Sequence, residues 1–174
     1  MKRKVILVVI LVIIGCCNTR AAVIDSTVNA FTVRYSDTVA LATGKLYAVF
    51  TDKIGDWWDP DHTYSGKASN LTIQPFAGGC FCEKLESGGS IQHMTVLYAA
   101  PGSTFRMQGG LGPLQQFPVI GIMTLELKAI EKQTQVTLTY AVGGYSPGGV
   151  GKFAPVVNMV LELQFKRFLD AAAK

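Results

Sequence analysis

The sequence predicts an α+β domain, a curved antiparallel sheet of six to seven strands around one long C-terminal helix, with two short helices after strand 1. Three observations predict it. Between residues 70 and 142, six β-patterned segments follow one another with only short turns between them. A single amphipathic stretch, 154–173, closes the chain. Strands and helices are segregated rather than alternating, which argues against a parallel βαβ sheet.

The first strand is expected over 26–36, where Phe31 and Val33 share one phase and Val28, Ala30, Thr32 and Arg34 the other. Ser36 or Asp37 offers a side-chain oxygen to cap a helix from about Thr38, with Leu41, Leu46, Val49 and Phe50 as its apolar stripe. A second short helix is expected over 54–59, stopped by Pro60. Strands follow at 70–76, 80–86, 91–99, 103–109, 120–131 and 134–142. They are punctuated by Gly78-Gly79, Ser87-Gly88-Gly89-Ser90, Pro101-Gly102 and Glu131-Lys132-Gln133. Along 123–129, Met123, Leu125, Leu127 and Ala129 alternate with Thr124, Glu126 and Lys128, so one face of the sheet meets water. The segment 143–149 reads as a flexible loop before the last helix, whose apolar face includes Val156, Val160, Leu161, Phe165 and Phe168.

The chain opens with a basic Lys2-Arg3-Lys4 and an unbroken apolar run from Val5 to Ile14, the pattern of a secretory signal over residues 1–22. Ten apolar residues fall short of the roughly 20 that cross a bilayer. Ile13-Ile14-Gly15-Cys16 resembles a bacterial lipobox with Cys16 as the acylated residue, and small residues near Ala21 and Ala22 offer an ordinary signal-peptidase cut. Both routes imply a domain, 23–174, working outside the cytoplasm: periplasmic, secreted, or anchored to the envelope by lipid. Four of the 16 basic residues and none of the 12 acidic ones lie in the leader, so the mature chain carries twelve of each. The basic pI therefore belongs to the targeting segment and argues for no nucleic-acid partner. Cys80 and Cys82, two apart on a strand, should stand about 6.5 to 7 Å apart and remain packed thiols.

Four segments carry a family resemblance: Trp57-Trp58-Asp59-Pro60-Asp61-His62-Thr63-Tyr64-Ser65-Gly66, Gly78-Gly79-Cys80-Phe81-Cys82-Glu83, His93-Met94-Thr95-Val96 and Gln108-Gly109-Gly110-Leu111-Gly112-Pro113-Leu114-Gln115. Their succession resembles bacterial members of the START-like helix-grip superfamily (SRPBCC), the lineage of polyketide cyclases, allergen-type lipid carriers and Hsp90-activator homologues. The likeness runs from about residue 25 to 172. It implies a deep, mostly apolar cavity between the sheet and the last helix. The residue pattern agrees, because the apolar face of such a sheet exceeds what one helix covers.

Nine residues are candidates for that cavity. Of Trp57 and Trp58, one is expected to floor it and the other to wedge the short helices onto the sheet. His62 and Tyr64 fall in a loop near its mouth, and His62 reads equally as a structural residue. Phe81 and Glu83 share an inward phase, and a buried carboxylate needs a partner, for which Arg106 and His93 compete. A two-residue turn at Gly88-Gly89 turns His93 outward, whereas a longer or bulged turn sets it against Glu83. Tyr140 completes the set as a proton-moving candidate. Gly110, Leu111, Gly112 and Pro113 form an entrance loop, since the glycine-rich segment lacks the Gly-Lys-Ser/Thr ending of a phosphate loop.

The sequence holds only two histidines and no catalytic residue is assigned, and Asp59, Asp61 and His62 make too poor a set for a metal. Neither metal nor cofactor is expected. The expected function is non-enzymatic binding or transport of a small hydrophobic ligand, a lipid or an aromatic metabolite. The alternative is a cyclase- or dehydratase-like enzyme that moves protons in the same cavity. A protein-interaction module akin to the Hsp90 activators is a third class, at odds with export.

Overall fold

A computed structural model describes residues 20–174. Eight antiparallel strands form one sheet: β1 (Arg20–Ser26), β2 (Ala30–Val39), β3 (Leu71–Ile73), β4 (Cys80–Lys84), β5 (Ser90–Ala100), β6 (Thr104–Gln108), β7 (Val119–Ile130) and β8 (Gln133–Gly144). Their order is β1-β2-β8-β7-β6-β5-β4-β3. Strands β3 to β8 are therefore a meander, and the β1–β2 hairpin docks on β8. Helices α1 (Thr43–Asp52) and α2 (Ile54–Trp57) cross from β2 to β3, and α3 (Ala154–Ala173) lies in the concave face.

The α+β class, the segregated order and the limits of α3 agree with the sequence reading. Three details differ. The sheet has an eighth strand, because Arg20–Ser26 pairs with β2 from Arg20↔Ser36 to Ser26↔Phe31. Residues 20–22 belong to that strand, whereas residues 1–19, with the lipobox candidate Cys16, lie outside the described residues. Second, β2 runs to Val39 and no helix starts at Thr38. Ten consecutive pairs with β8, from Ala30↔Gly143 to Val39↔Thr134, override the capping signal at Ser36 and Asp37. The Asp37 carboxylate accepts from the Thr38 amide within the strand instead. Third, Gly143 and Gly144 extend β8 rather than open a loop.

Cys80 and Cys82 form a disulfide, not two free thiols. Their Cα atoms are 5.4 Å apart, nearer than an ideal strand places second neighbours and within bridging range. The contraction sits beside a β-bulge, where Phe81 and Cys82 on β4 face Met94 and Gln92 on β5, leaving His93 as the extra residue.

The core divides along α3. Its C-terminal half is packed by aromatic rings: Phe165 lies 5.8 Å from Tyr35, and Phe168 lies 5.3 Å from Phe50 and 5.5 Å from Trp57. Each buried ring contributes about 1.5–3 kcal/mol relative to exposure. The N-terminal half carries Val156, Val157, Val160 and Leu161, which line an open space together with Phe81 and Trp58. That difference positions the site.

Candidate ligand cavity

A cavity of about 400 Å³ opens beneath the first two turns of α3. Its walls are mainly apolar: Trp58, Phe81, Leu111, Leu114, Phe153 and Val157. This size and lining match sites for small organic ligands, which combine an apolar wall with few placed polar groups. Exposed Tyr64, Pro113 and Gln116 mark the mouth.

Of the sequence candidates, Trp58, His62, Tyr64, Phe81 and His93 line the cavity, as do Leu111, Gly112 and Pro113 of the entrance loop. The two tryptophans take different places. Trp57 is buried behind the wall and donates from its indole to the Val49 carbonyl at 3.0 Å, so it wedges the helices. Trp58 donates to the His62 carbonyl at 3.0 Å and shapes the loop at the mouth.

Besides Trp57 and Glu83, three candidates do not line the cavity. Arg106 is on the opposite face of the sheet. Phe105 and Met107 are its buried neighbours, so alternation sends Arg106 outward, where its guanidinium donates to Thr124 Oγ1 at 3.1 Å and lies over Tyr98. It does not pair with Glu83. Tyr140 is buried and anchors the entrance loop rather than lining the cavity. Its hydroxyl donates to the Gly109 carbonyl at 3.0 Å and accepts from the Leu111 amide at 3.2 Å. Gly121 makes this approach possible, because a Cβ there would overlap the Tyr140 hydroxyl. Burial raises the Tyr140 phenol well above its ordinary value, so it stays protonated. Gly110 borders a second, polar cleft of about 360 Å³ between β5 and the entrance loop, which His93 also touches.

Glu83 lies behind the wall, fully buried, and its partner is His93. The His93 Nε2 to Glu83 Oε2 distance is 2.9 Å. The contact follows the longer, bulged alternative, with the bulge inside β5 rather than in the turn. The turn spans Leu85–Gly89, Glu83 faces Ile91, and the bulge rotates His93 inward beside Met94. The carboxylate also accepts from the backbone amides of Tyr64, at 3.1 Å, and Ser65. Burial alone raises the Glu83 pKa, and the hydrogen bonds from Ser65, Tyr64 and His93 outweigh it, so the carboxyl is held below its ordinary range. Burial pushes the His93 imidazole down, only partly offset by Glu83. The pair is thus an ionised carboxylate against a neutral imidazole.

Sequence reasoning missed Gln164. Its Oε1 accepts from the Asp59 amide at 2.8 Å, and it ties α3 to the loop that carries His62 and Tyr64. A lone polar residue among Leu161, Phe165 and Phe168 on the inward stripe was the available signal. Tyr64 joins the two lips of the mouth, since its hydroxyl donates to the Gly112 carbonyl at 3.1 Å. Among the described residues no cluster of three His, Cys, Asp or Glu side chains could hold a metal, and no helix is long and apolar enough to cross a membrane.

No protein-family model and no curated protein sequence matches this chain. Solved structures do. Protein CV1439 from Chromobacterium violaceum superimposes with a TM-score of 0.57 at 14% identity, covering 82% of this chain and 97% of that one. The Aha1 dimer from Colwellia psychrerythraea gives 0.57 at 17%, covering 81% and 95%. CalU16 from Micromonospora echinospora gives 0.54 at 15%, covering 88% and 85%. The chain shares their helix-grip fold, a curved antiparallel sheet around a long C-terminal helix. At these identities the likeness carries the fold alone, and helix-grip proteins do not share one activity.

Proposed function

We propose that this helix-grip domain binds a small hydrophobic ligand, a lipid or an aromatic metabolite, as a carrier or sensor outside the cytoplasm. The observation that carries the reading is the apolar cavity under the N-terminal half of α3, with a mouth framed by Tyr64 and the 111–113 loop. Under the C-terminal half of α3 the corresponding space is filled by aromatic rings. Native mass spectrometry of the protein after mild extraction tests the proposal. A retained apolar compound is the expected result; a bare chain that also fails to take up any added apolar probe would sink it.

The export part rests on the basic-then-apolar leader and receives support from the Cys80–Cys82 bond, since disulfides persist in oxidising compartments. Of the two processing routes, cleavage before Cys16 preserves all of β1, whereas a cut after Ala22 removes Arg20–Ala22 from a strand paired with β2. The intact mass of the mature protein distinguishes an acylated Cys16 from a chain beginning near Val23.

One observation favours the enzymatic alternative: the Glu83–His93 pair is a carboxylate-oriented imidazole of the kind that moves protons. Under that reading, His93→Ala and Glu83→Gln each abolish turnover of a cyclisable or dehydratable substrate, while a Tyr140→Phe variant retains it.

A further inference from the structure

We infer that the cavity selects a guest bearing a hydrogen-bond donor, a phenol or alcohol hydroxyl, which donates to Nδ1 of His93. The inference rests on the binding proposal above and specifies its ligand class.

The argument begins at Glu83. Its carboxylate is fully buried and can only accept. Two of its hydrogen bonds come from the Tyr64 and Ser65 amides, and the third contact, 2.9 Å long, is Nε2 of His93. Nε2 must therefore carry a hydrogen. In a neutral imidazole the other nitrogen then has none and presents a bare lone pair. The depressed pKa of His93 agrees with the neutral form.

That lone pair has no partner in the protein. Among the described residues, His93 makes no hydrogen bond besides the one to Glu83. Nor is Nδ1 sealed into packed atoms, because the Tyr47 hydroxyl is the one buried side-chain polar atom without a partner there. Only 6% of the His93 surface is exposed. Its ring sits between those of Phe81 and Tyr64, at 4.9 and 6.0 Å, and all three line the cavity. His93 also borders the polar cleft between β5 and the entrance loop, and we take Nδ1 to face the apolar cavity, where an unmatched acceptor penalises any guest that covers it without offering a hydrogen.

The same geometry excludes other headgroups. A carboxylate guest would meet a lone pair backed by the Glu83 anion, with Asp61 also on the lining. A ketone or ether would place one acceptor against another. A neutral hydroxyl on an aromatic or aliphatic body satisfies both the wall and the nitrogen.

Matched pairs of probes test this: 2-naphthol against 2-methoxynaphthalene, and 4-pentylphenol against 4-pentylanisole, titrated into the full protein as its cell processes it. Each hydroxyl compound is expected to bind tighter than its methyl ether by at least on the order of ten-fold, because an unmatched buried polar group discriminates strongly. The double variant Glu83→Gln/His93→Leu is expected to bind both members alike. Nitrogen-15 spectra of the histidines give an independent reading: hydrogen on Nε2, with the Nδ1 resonance moved by 2-naphthol and not by its ether. If both members of each pair bind the unaltered protein equally, or the preference survives in the double variant, the inference falls while the cavity proposal stands. A free protein with hydrogen on Nδ1 overturns it as well. Failure of all four probes removes the binding proposal and this inference together.

Discussion

His93 shows how much one rotated residue decides. The bulge in β5 turns it onto Glu83, and the pair links stability to pH with one sign. The folded pKa of His93 lies below its ordinary 6.5. As pH falls past about 6.5 the unfolded chain takes a proton that the native imidazole resists, so stability declines from there down to the folded value. Glu83 is also depressed, from 4.5, and its contribution is lost as pH falls through its folded value. Denaturant midpoints between about pH 8 and pH 4 should therefore fall with acid, and less steeply in Glu83→Gln/His93→Leu. Parallel profiles in the two proteins would show that the pair is not the acid-sensitive element. At Tyr140, replacement by Phe strands the Gly109 carbonyl and the Leu111 amide, with an expected loss of about 1–3 kcal/mol in urea unfolding. An unchanged midpoint would mean that water replaces the hydroxyl. Sequence position brought Trp58, His62, Tyr64, Phe81 and His93 to the cavity wall, whereas Trp57 and Tyr140, of the same residue types, pack behind it. Arg106 misled because the search for a partner to Glu83 overrode the alternation between Phe105 and Met107. The true partners of Glu83 include backbone amides of Tyr64 and Ser65, and a backbone donor brought in from a distant loop leaves no mark on residue identity.

At the scale of elements, periodicity over ten or more residues was readable and local chemistry was not. Helix α3 appears with the limits its apolar stripe predicts, and all six strands of the meander are present. The capping signal at Ser36 and Asp37 lost to the β2–β8 ladder, because one side-chain cap contributes about 1 kcal/mol and ten paired residues contribute more together. β1 was hidden by its closeness to the leader. The disulfide escaped because ideal strand spacing was assumed beside a bulge that only the β4–β5 pairing reveals. Its thermodynamic role should be small. A cross-link between residues two apart closes a minimal loop, so the chain-entropy gain is below about 2 kcal/mol. Cys80→Ser/Cys82→Ser should lose no more than that in denaturant unfolding and keep its secondary structure by circular dichroism. A larger loss would mean that the bond maintains the bulge, and with it the orientation of His93.

The whole molecule is a sheet that grips one helix unevenly. Rings from α1, α2 and the sheet fill the space under Phe165 and Phe168, and the earlier turns of α3 hold Val156, Val157, Val160 and Leu161 above open volume. If the empty end is the working end, stability and binding are separable by position along one helix. Phe168→Ala, in the filled half, removes a ring that touches Phe50 and Trp57, with an expected loss of about 3–5 kcal/mol. Val157→Phe, in the open half, puts a ring into the cavity itself, where it meets space rather than packed neighbours. It should leave the melting temperature unchanged or higher. A ligand that binds only the folded state stabilises it by RT ln(1 + [L]/Kd), about 2.7 kcal/mol at a hundred-fold excess over Kd. The unaltered protein should therefore gain several degrees on saturation with 2-naphthol, and Val157→Phe should gain none. If the filled variant responds to ligand as the original does, the guest sits elsewhere, and the gap under α3 is a packing defect rather than a binding site.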